Sequence, residues 1–274
     1  MSRDADWGVN FGGLTADAGR PYDEVLVPRM FEPWARLLAD ELAVAPGEAV
    51  LDVACGPGSA TRVLAARVGP SGRVTGCDLS EGMLATARSK PPVGDGAEIE
   101  YLAAPADALP VGDAEFDLVT CQQGLQFFPD RPRALAEMRR VLRPGGRVGI
   151  AVWRAIAEVP PFEAVRQAIA EVAGSELAER YAAGPWGFPD PEQLGALVEQ
   201  AGFDDVEVST HELPLEFEGA SQILLTLAAT PLAAKIDALA PEQKRRLHEE
   251  LASRVGDGAV ESSARSNIAL ARRA

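Results

Sequence analysis

Residues 50–61 read V-L-D-V-A-C-G-P-G-S-A-T, placing an acid, two glycines and a change of hydrophobic period in one short stretch. An apolar run ends at Asp52, Gly56 and Gly58 follow, and a helical pattern opens at Ser59. That is a strand, a tight turn and a helix start, a geometry in which bare backbone approaches a nucleotide-like ligand. Asp78 stands 20 residues beyond Gly58, at the end of a second apolar run, R-V-T-G-C-D. An acid at that distance suits a bidentate grip on ribose hydroxyls. The spacing therefore points to a cofactor that contains adenosine.

Three ligands compete for the loop, beside a tight turn that binds nothing. A nicotinamide dinucleotide calls for G-x-G-x-x-G, but the third position is Thr61, and Asp52 would face a pyrophosphate of like charge. A P-loop calls for G-x-x-x-x-G-K-[ST], and no lysine follows these glycines. S-adenosylmethionine (SAM) carries ribose and adenine without phosphate, and its ammonium and sulfonium welcome an acid at the start of the loop. Asp52 is then expected to act through the loop backbone or a water, with Gly56 and Gly58 making room for the methionine moiety.

Five ordered pieces carry a resemblance. They are D-V-A-C-G-P-G (52–58), G-C-D-L-S-E-G-M-L (76–84), A-D-A-L-P (106–110), F-D-L-V-T-C-Q-Q-G-L-Q-F-F-P-D (116–130) and R-V-L-R-P-G-G-R (140–147). With these the chain resembles the class I SAM-dependent methyltransferases, and among them the small-molecule group near the ubiquinone and menaquinone C-methyltransferases. The likeness is close over residues 50–153 and loose in the flanks. It departs at Ala54, where the family often has glycine. The resemblance implies a Rossmann-like, mostly parallel seven-stranded sheet with helices on both faces and a helical cap. It implies a cofactor site of Asp52, Ala54, Gly56, Gly58, Asp78, Leu79, Met83, Asp107, Ala108, Gln122, Gln123 and Phe127. Asp78 would hold the ribose, Leu79 and Met83 the adenine face, and Asp107 the adenine amino group. The Ala108 amide would meet a ring nitrogen. Gln122 and Gln123 would reach the methionine end, and Phe127 would wall the site.

The elements that must position these residues follow from periodicity and turn chemistry. Strands are expected at 48–54, 73–78, 98–104, 116–121 and 147–153, with helices at 59–68, 81–89 and 132–142. Ser80 can cap the second of these helices. The alternation argues for an α/β fold whose sheet is covered on both faces, and the candidate acids all fall at or beyond strand ends. A helix at 191–201, a strand at 206–217 and a last strand near 266–272 complete the pattern. The expected organisation is a helical cap segment at 1–45 and a methyltransferase domain at 46–274, with helical insertions near 155–190 and 219–256. These extra segments carry Trp7, Phe11, Tyr22, Phe31, Trp34 and Trp186. Tyr22, Trp34, Phe128 and Trp186 are the candidates for a substrate pocket.

Composition narrows the function. The chain has 274 residues, 47% of them hydrophobic, and 41 acids against 26 bases for a formal charge of -15. Such a surface repels nucleic acid and anionic membrane, which leaves a small molecule as the partner. Cys55, Cys77 and Cys121 cannot all pair, and no C-x-x-C or histidine-rich pattern suggests a metal. The N-terminus is polar and no run is long enough to span a bilayer, so a cytoplasmic protein is expected.

The expected reaction is SAM-dependent methyl transfer to a small apolar metabolite, such as a quinone, polyketide or terpenoid. A protein that keeps SAM as a structural ligand and catalyses another reaction, such as a cyclisation, or only binds ligand, is the alternative. A nicotinamide oxidoreductase is third. No general base is identified: His211 falls inside a predicted strand, and nothing selects among Tyr22, Arg154, Glu158 and Glu163.

Overall fold

The computed structural model describes residues 22–230, 232–256 and 258–274. Trp7, Phe11 and the side chain of Tyr22 lie outside the described residues. Apolar runs bounded by glycine and proline build five parallel strands: β1 (Ala49–Val53), β2 (Arg73–Asp78), β3 (Ile99–Ala103), β4 (Phe116–Gln122) and β5 (Leu142–Trp153). Two more strands, β6 (Asp204–Phe217) and β7 (Val260–Arg272), complete a seven-stranded sheet of order β3-β2-β1-β4-β5-β7-β6. β7 runs antiparallel to both of its neighbours. The strand order reverses between β1 and β4, and a crevice opens for ligands at the carboxyl ends of strands at such a point.

A π-helical segment (Tyr22–Phe31) runs into α1 (Glu32–Glu41) ahead of the sheet. Helices α2 (Ser59–Val68), α3 (Glu81–Ser89) and α4 (Arg131–Val141) connect the parallel strands. After β5 come α5 (Pro160–Ala173), α6 (Ser175–Ala183) and α7 (Pro191–Gln200). Between β6 and β7 lie α8 (Ala220–Leu225), α9 (Ala233–Asp237) and α10 (Pro241–Val255). Short polar side chains set three of the starts. Ser80 accepts from the Met83 amide at 3.3 Å, Asp130 from Arg133 at 3.0 Å and Asp190 from Glu192 at 2.9 Å.

All five residues of β1 are buried, as a strand covered on both faces requires. One core, with Trp34, Leu64, Phe162 and Ile268, lies between the sheet and α1, α2 and α5; the other, with Leu135, Met138 and Leu194, lies under α4 and α7.

The spans 59–68, 73–78 and 81–89 match the sequence expectation to the residue, because glycine, proline or a capping serine marks each boundary. β4 and β6 gain one or two residues over the expectation, and β5 and β7 gain more. β5 begins at Leu142, through a register shift that carries Pro144 and the glycines, because Gly145 donates to Arg273 O at 2.7 Å and Arg273 to Gly146 O at 2.9 Å. β7 begins at Val260 because it pairs with β6 from Phe217 onward, beyond the point where Trp153 meets Ser266. This two-stranded extension carries the helices of the 219–256 region.

Trp34 is a correction to the pocket expected from sequence. It is 1% exposed and meets the Trp153 ring edge-on at 5.6 Å between centroids, so it belongs to the core. Trp34→Ala is expected to cost about 3–5 kcal/mol of stability, read as a lower urea midpoint with an unchanged slope.

Candidate cofactor site

The loop between β1 and α2 turns through left-handed backbone at Ala54 (φ 57°), Gly56 (55°) and Gly58 (82°). Gly58 also lacks space for a side chain, since a Cβ there would sit 2.5 Å from the Tyr101 hydroxyl. Ala54 adopts the same region with a methyl group, a strain of about 1 kcal/mol. A glycine at this position would carry no such strain.

Asp78 organises the loop from the end of β2. One carboxylate oxygen accepts from the Gly56 amide at 2.8 Å and the other from Ser80 at 2.8 Å. Burial raises its pKa above the ordinary value, and the amides of Ser80, Gly56 and Leu79 oppose the rise. Asp52 lies inside β1 at 1% exposure. Its oxygens accept from the hydroxyls of Thr61 at 2.7 Å and Thr120 at 2.9 Å. Sequence reasoning missed both threonines and expected a water or the loop backbone instead; the available signal was a hydroxyl within the apolar run of β4 and another in place of the third glycine. Burial pushes the Asp52 carboxyl up to about 6, the threonine hydroxyls pull it down, and the nearby Asp78 carboxylate adds to the rise.

The other candidates divide. Gln122 is buried, and its Nε2 donates to Phe31 O at 2.8 Å while Oε1 has no partner. Gln123, left-handed at φ 57°, turns its Nε2 to Ser266 Oγ at 3.0 Å, toward β7. Leu79 is 63% exposed immediately after Asp78, whereas Met83 is buried. Asp107 is half-buried, with its carbonyl held by Arg133 Nε at 3.0 Å. The Ala108 amide, expected to meet adenine, donates to Pro105 O at 3.1 Å. Phe127 and Phe128 are half-buried, and Phe128 packs on the second core. Trp186 is buried among Phe162 and Tyr181.

Phe31, Asp52, Gly56, Ser59 and Gln122 enclose a cavity of about 30 Å³. The Gln122–Phe31 bond fastens the π-helical segment over it, and ion pairs from Lys90 to Asp23 and from Arg29 to Glu218 (3.5 Å) hold the segment's flanks. That volume holds about one water. A groove of about 470 Å³ between α8 and α10 shares no residue with the loop and has no acid buried in its floor.

The residues present fit SAM. Two desolvated carboxylates call for a cation, and a phosphate would meet them with like charge. Ser59 Oγ and Gln122 Oε1 are buried polar atoms still lacking a partner, and the exposed Leu79 offers an apolar face beside the ribose acid. His211 is paired with Ser209 on β6, the far edge of the sheet, at 2.7 Å. Arg154 bonds Glu158 at 3.0 Å, and Glu163 bonds Arg166 at 2.5 Å. Neither arrangement marks a base.

A doubly wound sheet with β7 reversed, a glycine loop after β1 and an acid closing β2 form the pattern of a class I SAM-dependent methyltransferase. The sequence pattern described as the ubiE/COQ5 methyltransferase family matches residues 21–214, and the chain belongs to that family. A ubiquinone/menaquinone biosynthesis C-methyltransferase of Ralstonia nicotianae is 36% identical over 65% of this chain and 76% of that protein. The demethylmenaquinone methyltransferase of Shouchella clausii is 32% identical over 69% of this chain and 84% of that protein. The fold is similar to that of phosphoethanolamine N-methyltransferase 2 of Haemonchus contortus, solved with SAM. That likeness has a TM-score of 0.60 and 17% identity, covering 100% of this chain and 61% of that one. The protein is an enzyme that uses SAM to methylate a small molecule, and the reading with SAM as a structural ligand is not favoured.

The Asp52 environment fixes a pH response. A carboxyl whose folded pKa lies near 6 against an ordinary 3.8 favours folding fully below about pH 4, and that contribution is lost as pH rises through 6. Asp52→Asn is therefore expected to stabilise the ligand-free protein at pH 7.5 by roughly 2–3 kcal/mol, seen as a higher melting temperature, while SAM affinity falls. A lower melting temperature at pH 7.5 would show that the carboxylate is a net stabiliser of the fold.

Proposed function

We propose that this enzyme transfers the SAM methyl group to a ring carbon of a hydroquinone-type acceptor with apolar substituents. The observation that carries this reading is the pairing of the glycine loop with relatives named as a ubiquinone/menaquinone biosynthesis C-methyltransferase and a demethylmenaquinone methyltransferase. Bound SAM supplies a methyl on a sulfonium, an electrophile that needs no further activation.

The chain's own residues supply position and dryness. In this reading Asp78 accepts from the ribose hydroxyls while keeping the Gly56 amide in place. Leu79 and Met83 flank the adenine, and Asp107 accepts from its amino group. Asp52, set by Thr61 and Thr120, places negative charge under the methionine end, where Gln122 and Ser59 supply unspent polar atoms. Residues 22–45, the described part of the expected 1–45 cap, act to exclude water, with the 155–190 and 219–256 insertions completing the acceptor side of the 46–274 domain. Three free, buried thiols, with Cys77 and Cys121 each pushed up to about 12 by burial, support a reducing, cytoplasmic setting. Among the described residues no helix is long and apolar enough to cross a membrane.

The direct test is formation of S-adenosylhomocysteine when the protein is given SAM and a demethylmenaquinol with a short side chain. Calorimetry then ranks the contacts. Asp78→Ala is expected to abolish measurable SAM binding, and Asp107→Ala to weaken it by about 1–3 kcal/mol. A loss at Asp107 as large as that at Asp78 contradicts the placement of the nucleoside.

A further inference from the structure

Gln126 stands apart among the described residues: its side-chain donor and acceptor are both buried and both without a hydrogen-bond partner. The residue is 5% exposed, and a buried amide left unpaired is costly and rare. Gln122 and Gln123 each retain one unpaired oxygen, but their nitrogens are committed to Phe31 O and Ser266 Oγ. Gln126 has committed neither end.

The backbone that carries it is fixed. Its carbonyl accepts from Arg131 Nη2 at 2.8 Å and that of Leu125 from Arg131 Nε at 3.1 Å. The Arg131 guanidinium lies over the Phe188 ring at 4.7 Å. At the head of this 3-10 turn (Leu125–Phe127), a Cβ on Gly124 would fall 2.6 Å from Ala54 Cβ and 3.0 Å from Cys121 Sγ. The turn is therefore wedged against the glycine loop at the carboxyl end of β4. A pinned backbone bearing an unspent amide is a preorganised recognition group.

Phe188 ties the turn to the segment that holds Trp186. The Trp186 Nε1 is likewise buried without a partner, and its ring lies 5.3 Å from both Phe162 and Tyr181. An amide offers coplanar donors and an acceptor, and an indole offers a donor alone. Either group suits a hydroxyl oxygen on a flat ring. We propose that Gln126 recognises the methyl acceptor, its amide taking a ring hydroxyl of a hydroquinone-type substrate, with the Trp186 indole as a second donor. The proposal rests on the acceptor reading given above.

The test titrates the full chain with S-adenosylhomocysteine and then titrates the complex with 1,4-dihydroxynaphthalene, kept reduced, or with naphthalene, which has no oxygen. Gln126→Leu is expected to weaken the diol by about tenfold or more, leave S-adenosylhomocysteine within about twofold, and leave naphthalene unchanged. Its melting temperature should equal or exceed that of the wild type, because no protein hydrogen bond is lost. Unchanged diol affinity overturns the assignment, and so does a parallel loss of S-adenosylhomocysteine, which would place Gln126 in the cofactor site. A clear fall in melting temperature would mark the amide as structural. Wild-type protein that binds S-adenosylhomocysteine but not the diol overturns the acceptor class and leaves the cofactor reading intact. Failure to bind S-adenosylhomocysteine would remove both.

Discussion

Two carboxylates held in a desolvated crevice set the terms for the rest of the site. Asp52 and Asp78 sit at adjacent strands, and each raises the cost of ionising in a buried place. Among the described residues neither has a cationic side chain beside it. Hydroxyls from Thr61 and Thr120 and amides from Gly56 and Ser80 moderate the charge without cancelling it. A lysine or arginine there would satisfy the acids and leave nothing for a cationic ligand to do. Neutral donors keep the crevice negative, and the loop conformation follows from where those donors must point.

This arrangement explains why so much of the glycine loop and its acids was legible in the sequence. Glycine positions, a capping serine and acids at strand ends are local signals, each tied to a backbone requirement that only a few residue types meet. Thus β2, α2 and α3 emerged with their boundaries, and Asp78 with its location. The partners of Asp52 were harder to read because they lie nine residues away and in another strand. A threonine in an apolar strand is ordinary until the register of β1 with β4 pairs Asp52 with Thr120.

The acceptor side was less legible for a related reason. Trp34, Trp186 and Phe128 carry the same apolar signal whether they pack a core or face a ligand, and only burial and ring contacts separate the cases. Trp34 against Trp153 is edge-on core packing. Trp186 has one, its indole nitrogen, and Gln126 has two. Unspent polar atoms are not a property of a residue type, so no motif reveals them; they appear when the fold removes water from a group and provides nothing in exchange.

The π-helical segment joins the two sides. It covers the glycine loop through the same Gln122 whose oxygen is unspent, and Phe31 forms part of the cavity wall. The Gln122 amide group thus serves the closed segment through its nitrogen and faces the crevice through its oxygen. One side chain thus links the segment to the loop it lies against, and a change at Gln122 touches both, because its nitrogen holds Phe31 while its oxygen lines the same cavity.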